Sequence, residues 1–226
     1  MFDLTSALYH QRSILRGDEA EAHVADLYAC LRQTWYRRNG YPGEAFTREK
    51  LAQFAIGNGY EREVADTLRA IGLDVEQGLD VAFLGLIGHP DIVVHDRDGN
   101  GCVKWSVLIE VKTTELRTPK ADVSPHYAIQ AAAYALALGI PRAIVLVKHA
   151  GSHVETTYEI DPEGYRTIIE KRAAAVVSQT GKGAPIPPAD PGELAAWGCR
   201  YCAAVQCPSH PNHEPALDDE VVPWAN

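Results

Sequence analysis

Two carboxylates and a lysine are spaced to act together. Glu110 and Lys112 stand two apart in Val107-Leu108-Ile109-Glu110-Val111-Lys112, an apolar run that reads as a strand, and Asp91 heads the preceding apolar run. Successive strand residues point to opposite faces, so Val107, Ile109 and Val111 can face the core while Glu110 and Lys112 project together on the other side. The turn Asp96-Arg97-Asp98-Gly99-Asn100-Gly101 joins the two runs into a hairpin. Asp91 and Glu110 then come from neighbouring strands and can share a divalent cation. Phosphodiester hydrolysis assisted by magnesium or manganese is the chemistry that such a set suits.

The elements that must position these groups can be read on either side of the hairpin. From near Thr47 to Gly72, Leu51, Phe54, Val64, Leu68 and Ile71 recur at helical spacing, interrupted by Gly57 and Gly59. Glu61 lies on that apolar stripe, where a carboxylate needs a partner or a metal. The alternative is that the glycines break the helix and leave Glu61 exposed. After a polar loop from Glu115 to Pro125, a helix is expected from His126 to about Leu138, ended by Gly139-Ile140-Pro141. Gln130 and Tyr134, four apart, share one of its faces.

The rest of the chain alternates in the same way. His23 to Arg38 is aromatic-rich and helix-compatible, contains Cys30, and ends at Asn39-Gly40-Tyr41-Pro42-Gly43. Ala143 to Val147 reads as a strand buried on both sides, Glu155 to Ile160 as an edge strand, and Pro162 to about Gln179 as a helix. Strands interleaved with helices predict an α/β sandwich around a mixed sheet. Residues 1 to about 20 carry no readable chemistry. Gly181 to Pro191 has linker composition, and the Pro-, His- and acid-rich tail after Cys207 is expected to be poorly ordered.

At 226 residues the chain can bury one sizeable core with an appended lobe. A formal charge of -9 excludes a protein that coats nucleic acid nonspecifically with a basic surface. Contacts to DNA would be local and cation-dependent, with Arg37, Arg38, Arg48, Lys50, Arg117 and Lys120 as candidates. There is no apolar run of about eighteen residues and no basic-then-apolar N-terminus. A cytoplasmic protein with reduced thiols and no membrane partner is the expectation.

Three of the five cysteines form C-x2-C-x4-C at Cys199, Cys202 and Cys207. Thiolates so placed can reach one zinc ion or one iron–sulfur cluster, and spacing does not decide between them. Cys30 is the best candidate for a fourth ligand, with His210 and His213 as rivals, while Cys102 reads as a small core residue.

Taken together, these residues resemble the RecB-like PD-(D/E)xK nucleases, specifically the CRISPR-associated exonuclease of the Cas-four type and its phage relatives. The resemblance runs from about His23 to Cys207. It is carried by the order and spacing of Asp26-Leu27-Tyr28-Ala29-Cys30-Leu31-Arg32, Gly57 with Glu61, Gly88-His89-Pro90-Asp91, Glu110-Val111-Lys112, Gln130 with Tyr134, and the three late cysteines. It implies a restriction-endonuclease-like core over about 47–180. A cysteine-ligated cluster lobe, from about 23–46 and 185–215, would join the two ends of a single domain spanning 23–226, after an extension over 1–22.

The resemblance further implies that Asp91, Glu110, Glu61 and the carbonyl of Val111 hold magnesium or manganese, with Lys112 positioning water and Gln130 and Tyr134 beside the DNA. It implies a 4Fe-4S cluster on Cys30, Cys199, Cys202 and Cys207, with zinc as the alternative occupant. The implied activity is exonucleolytic, on single-stranded or frayed DNA, in the host cytoplasm if the chain is phage-encoded. A catalytically silent iron–sulfur module that binds DNA with a recombination or CRISPR-integration partner is the alternative, and a zinc-clipped adaptor is a third. The sequence departs from the pattern in two places: Leu31 replaces the usual proline, and Glu61 stands where many relatives carry histidine, a role that His23 could also fill.

Overall fold

The computed structural model describes residues 21–41, 47–149, 152, 154–188, 199, 202, 204, 207 and 208. In chain order the elements are a 3-10 turn (Val24–Leu27), helices α1 (Leu31–Arg38) and α2 (Arg48–Ala70), and strands β1 (Asp74–Glu76), β2 (Val81–Phe83), β3 (Leu86–Gly88), β4 (Ile92–Arg97) and β5 (Val103–Thr114). Helix α3 (Pro125–Leu138), strands β6 (Ala143–His149) and β7 (Val154–Ile160), a 3-10 turn (Pro162–Tyr165) and helix α4 (Arg166–Thr180) follow. Five strands form one mixed sheet in the order β1-β4-β5-β6-β7, and β2 and β3 form a separate ribbon. The mixed α/β architecture is the one expected from the alternating pattern.

The central hairpin forms where the turn residues placed it. Asp98 Oδ1 accepts from the N–H groups of Asn100 and Cys102 at 2.8 and 2.9 Å, and Gly101 takes the left-handed φ of 82° that closes the turn. β4 and β5 pair antiparallel with Ile92 opposite Ile109. β5 then runs on, pairing parallel with β6 to the register Thr114–His149. A parallel pair needs a crossover, which α3 supplies. Pro125 opens α3 at its first turn, a position where its missing N–H costs nothing, and Gly139 closes it at φ 66°.

Strand alternation gives the sheet two buried faces. Val93, Leu108, Val145 and Val147 pack with Ile129 of α3 and Ile169 and Val176 of α4. Ile92, Val94, Val107, Ile109 and Val111 pack on the other side with Tyr60, Ala65, Val64 and Leu68 of α2. Each large apolar side chain sealed in this way contributes roughly 1.5–3 kcal/mol. Helix α3 meets the sheet through the fully buried Ala128, Ala131, Ala132, Ala133 and Ala135, whose small side chains let its backbone come close.

Several expectations need correction. Helix α2 runs unbroken through Gly57 and Gly59, because its packing against the sheet outweighs the roughly 1 kcal/mol helix cost of each glycine. The stretch from His23 to Arg38 is not one helix: a 3-10 turn ends at Tyr28, and Cys30, with extended backbone, becomes the N-cap of α1. Cys102 is exposed at the hairpin turn, not a core residue. Among the described residues no helix is long and apolar enough to cross a membrane. Residues 1–20, the Pro42–Gly43 end of the first loop and the tail holding His210 and His213 lie outside the described residues.

Candidate active site

The site forms where β4 begins and β5 runs past it. The β4–β5 ladder ends at Ile92–Ile109, and beyond it the Val111 N–H donates to Asp91 Oδ2 at 2.8 Å. That bond aims Asp91 at the next residue's neighbours. Glu110 and Lys112 share the face of Leu108, opposite Val107, Ile109 and Val111, as their alternation requires. That second face is not solvated: α3 covers it, and Glu110 is 0% exposed. Glu110 Oε1 accepts from Lys112 Nζ in a short charge-assisted bond.

The other carboxylate oxygen, Glu110 Oε2, is buried and receives no hydrogen bond. The carboxyl group of Asp91 lies near enough for its charge to act on Glu110. Two neighbouring carboxylates resist being ionised together, which favours a proton or a further cation beside them. Burial accordingly pushes Glu110 up to about 7, with the Lys112 charge opposing and Asp91 reinforcing. Burial also raises Asp91, against the pull of Lys112 and the Val111 N–H. For Lys112 burial works downward, but Glu110 and Asp91 outweigh it and hold the ammonium firmly charged.

Glu61 reaches this group from α2, half-buried on the apolar stripe. Burial raises its carboxyl, followed by the charge of Asp91, while Gln77 and the cations Arg62 and Lys112 act the other way. Its Oε1 accepts from Gln77 Nε2 at 3.2 Å. Each of the three acids is thus satisfied at least partly by a protein donor. Among the described residues, no three His, Cys, Asp or Glu side chains already stand in a metal-holding arrangement.

Helix α3 closes the site from above. Tyr134, 4% exposed, is hydrogen-bonded with Gln130 and accepts from the His89 N–H at 3.3 Å; burial lifts its phenol to about 12. Gln130 Oε1 also accepts from the Tyr28 hydroxyl at 3.3 Å. Tyr134 fits only because position 88 is glycine: a Cβ there would stand 2.6 Å from Tyr134 Cε1 and 3.0 Å from Val24 Cγ2. Gly88→Ala is expected to destabilise the fold by about 2 kcal/mol and to lower its melting temperature by roughly 4–8 °C, measured by thermal unfolding.

The sequence carried Tyr28 and Gly88 within the resemblance motifs without a role for either, and Gln77 gave no signal. Tyr127 was also missed, although it precedes Gln130 by three and Tyr134 by seven residues, the repeat of one helical face.

Two candidate DNA cations are committed to the fold. Arg37 pairs with the buried Asp26 at 2.6 Å, and Arg38 donates to Thr180 Oγ1 at 2.8 Å. Trp35 and Tyr36 are packed in a small core with Ala204 and Cys207. His23 precedes the first 3-10 turn, its N–H held by Asp26 Oδ2 at 2.7 Å.

The four cysteines Cys30, Cys199, Cys202 and Cys207 come within electrostatic reach of one another. Burial raises the Cys202 thiol, aided by the other three, and burial followed by Cys30 and Cys207 raises Cys199. Two sulfurs already accept hydrogen bonds, Cys202 from the Ala204 N–H and Cys207 from Arg32. The thiols do not stand in a finished ligand arrangement, so the cluster lobe expected from the sequence goes no further than this proximity.

No family model matches the sequence, and none of the curated proteins does. Among solved structures, the crystal structure of SSO0001 is similar over 91% of this chain and 94% of its own, with a TM-score of 0.59 at 19% identity. An alkaline exonuclease, LHK-Exo from Laribacter hongkongensis, is similar over 72% of this chain and 88% of its own, with a TM-score of 0.48 at 14% identity. The same exonuclease in complex with dAMP gives 0.49 at 15% identity over the same shares. What the chain shares with SSO0001 is its fold.

Proposed function

We propose that this protein is a magnesium- or manganese-dependent deoxyribonuclease that hydrolyses phosphodiester bonds at single-stranded or frayed DNA ends. One observation carries the reading: the fully buried Glu110 and the half-buried Asp91 stand beside a charged Lys112, with Glu110 Oε2 lacking any donor. A hard divalent cation fits that all-oxygen set and would satisfy the orphaned atom. Asp91, Glu110, Glu61 and the Val111 carbonyl would hold it, with His23 as the alternative to Glu61. When bound, the cation polarises the phosphoryl oxygen and lowers the pKa of water.

The chain's own residues supply the rest. Lys112 orients the attacking water and offsets the negative charge that grows on the phosphorane. Glu110 keeps the lysine pointed into the site, and Gln130 and Tyr134 stiffen the wall against which the strand lies. Cys30, Cys199, Cys202 and Cys207 would hold a 4Fe-4S cluster, or zinc, and clip the two ends of the chain together. Their two existing N–H to sulfur bonds are of the kind that tune such clusters. A brown protein absorbing near 400 nm supports the cluster, and a colourless one with stoichiometric zinc rejects it.

The deciding experiment is time-resolved cleavage of end-labelled single and double strands by anaerobically purified protein, with and without manganese. Metal-dependent release of nucleotides from single strands is the expected result. Binding without cleavage would favour the silent iron–sulfur module, acting with a recombination or CRISPR-integration partner.

A further inference from the structure

Tyr28 and Tyr127 border the Glu110–Lys112 pair, His126 meets both of them, and none of the three rings has a part in the chemistry above. The Tyr28 and His126 ring centroids lie 5.6 Å apart and tilted by 36°, and His126 meets Tyr127 edge-on at 5.0 Å. Lys112 Nζ stands 5.6 Å from the centre of the Tyr127 ring. All three rings are half-buried, unlike Trp35, Tyr36 and Tyr134, which are sealed in the core. The rings are also pre-set: the Tyr28 hydroxyl is held by Gln130, and the His126 ring by the Ser124 hydroxyl at 2.9 Å. Holding a surface rigid before binding removes much of the cost of ordering it later.

We infer that Tyr28, His126 and Tyr127 form a stacking platform for an unpaired base of the scissile strand; this rests on the nuclease reading and names the feature that selects its substrate. Charge leaves few other sources of affinity. The chain carries a formal charge of -9, and Arg32, Arg37, Arg38 and Arg172 are engaged by Pro187, Asp26, Thr180 and the carbonyls of Leu27 and Ala29. With these four guanidinium groups committed to the fold, counterion release has fewer cations to draw on, whereas base stacking on aromatic rings works for any base with an accessible face. In a duplex the neighbouring pairs cover those faces except at the ends. The platform therefore selects single strands and frayed termini.

The test uses the full wild-type chain with calcium in place of manganese, and a short single strand carrying 2-aminopurine at successive positions. Quenching of the fluorophore at one position is expected. His126→Ala should weaken binding about tenfold, His126→Phe should restore it, and an abasic site at the quenched position should weaken wild-type binding to a similar extent. In manganese the His126→Ala loss should fall on KM for single strands.

Unchanged binding and KM in His126→Ala, or a further loss of about tenfold when that variant is tested on the strand already lacking the base, would overturn the platform. Should the alanine variant fail to fold, the phenylalanine variant and the abasic strand decide alone. A chain that cuts without quenching retains the hydrolase reading and loses the platform. A chain that quenches but never cuts does the reverse.

Discussion

Replacing Lys112 with alanine is expected to lower kcat on DNA by two or more orders of magnitude, the usual consequence of removing a preorganised charge at a developing anion. The structure adds a second expectation. Lys112 is the donor to the fully buried Glu110, so its loss leaves that carboxylate unpaired unless it takes up a proton or a cation. Breaking a buried pair from one side costs about 3–5 kcal/mol when nothing compensates. Glu110, already poised near 7, has an escape through protonation. The variant should therefore fold at mildly acid pH, bind DNA, and fail to cut. Single-turnover cleavage beside a binding assay checks this, and wild-type rates in the variant would remove Lys112 from the mechanism.

The second large effect concerns stability and pH. Burial raises Glu110 from 4.5 to about 7, so the folded state holds the proton more tightly than the unfolded chain does. The stability this confers is complete below the unfolded value of 4.5 and is lost as pH rises through about 7. A shift of this size corresponds to something on the order of 3 kcal/mol across that window. Metal-free wild-type protein should accordingly lose stability relative to Glu110→Gln between about pH 4.5 and 8. Manganese should return it to the wild type only, because a ligand that binds the native state alone stabilises it by mass action. Urea unfolding of both proteins at several pH values, with and without manganese, measures the difference. Parallel pH profiles would mean that Glu110 is not the buried acid described here.

How far the sequence disclosed this arrangement depends on how local each signal was. The Asp98-Gly99-Asn100-Gly101 turn and the two-residue alternation around Glu110 and Lys112 are local, and the hairpin, the strand pairing and the sharing of a face by these two residues followed from them. Pro125 and Gly139 bounded α3 for the same reason, leaving only its first residue misplaced. Strands β1, β2 and β3 were not foreseen, since three residues hold too little periodicity to register. The β2–β3 turn also places Leu84 at a φ of 54°, where the hairpin rule leads one to look for Asn, Asp or Gly.

The site itself was legible as a set of residue types but not as an environment. The alternation of β5 separates Glu110 from Val111 correctly, yet it cannot tell that α2 and α3 will cover the two faces and seal Glu110 from water. That burial comes from α3, which lies over the face as the crossover of the parallel β5–β6 pair, a contact between residues apart in sequence. Arg37 and Arg38 looked like free cations for the same reason: Asp26 and Thr180, their partners, are known to be neighbours only after folding.

The most direct test of the central claim is a titration of metal-free protein with manganese, followed by electron paramagnetic resonance of the free ion, in wild type, Asp91→Asn and Glu110→Gln. The wild type is expected to bind manganese, and either substitution to weaken binding by an order of magnitude or more. Absence of binding by the wild type, or equal binding by all three proteins, would contradict that claim.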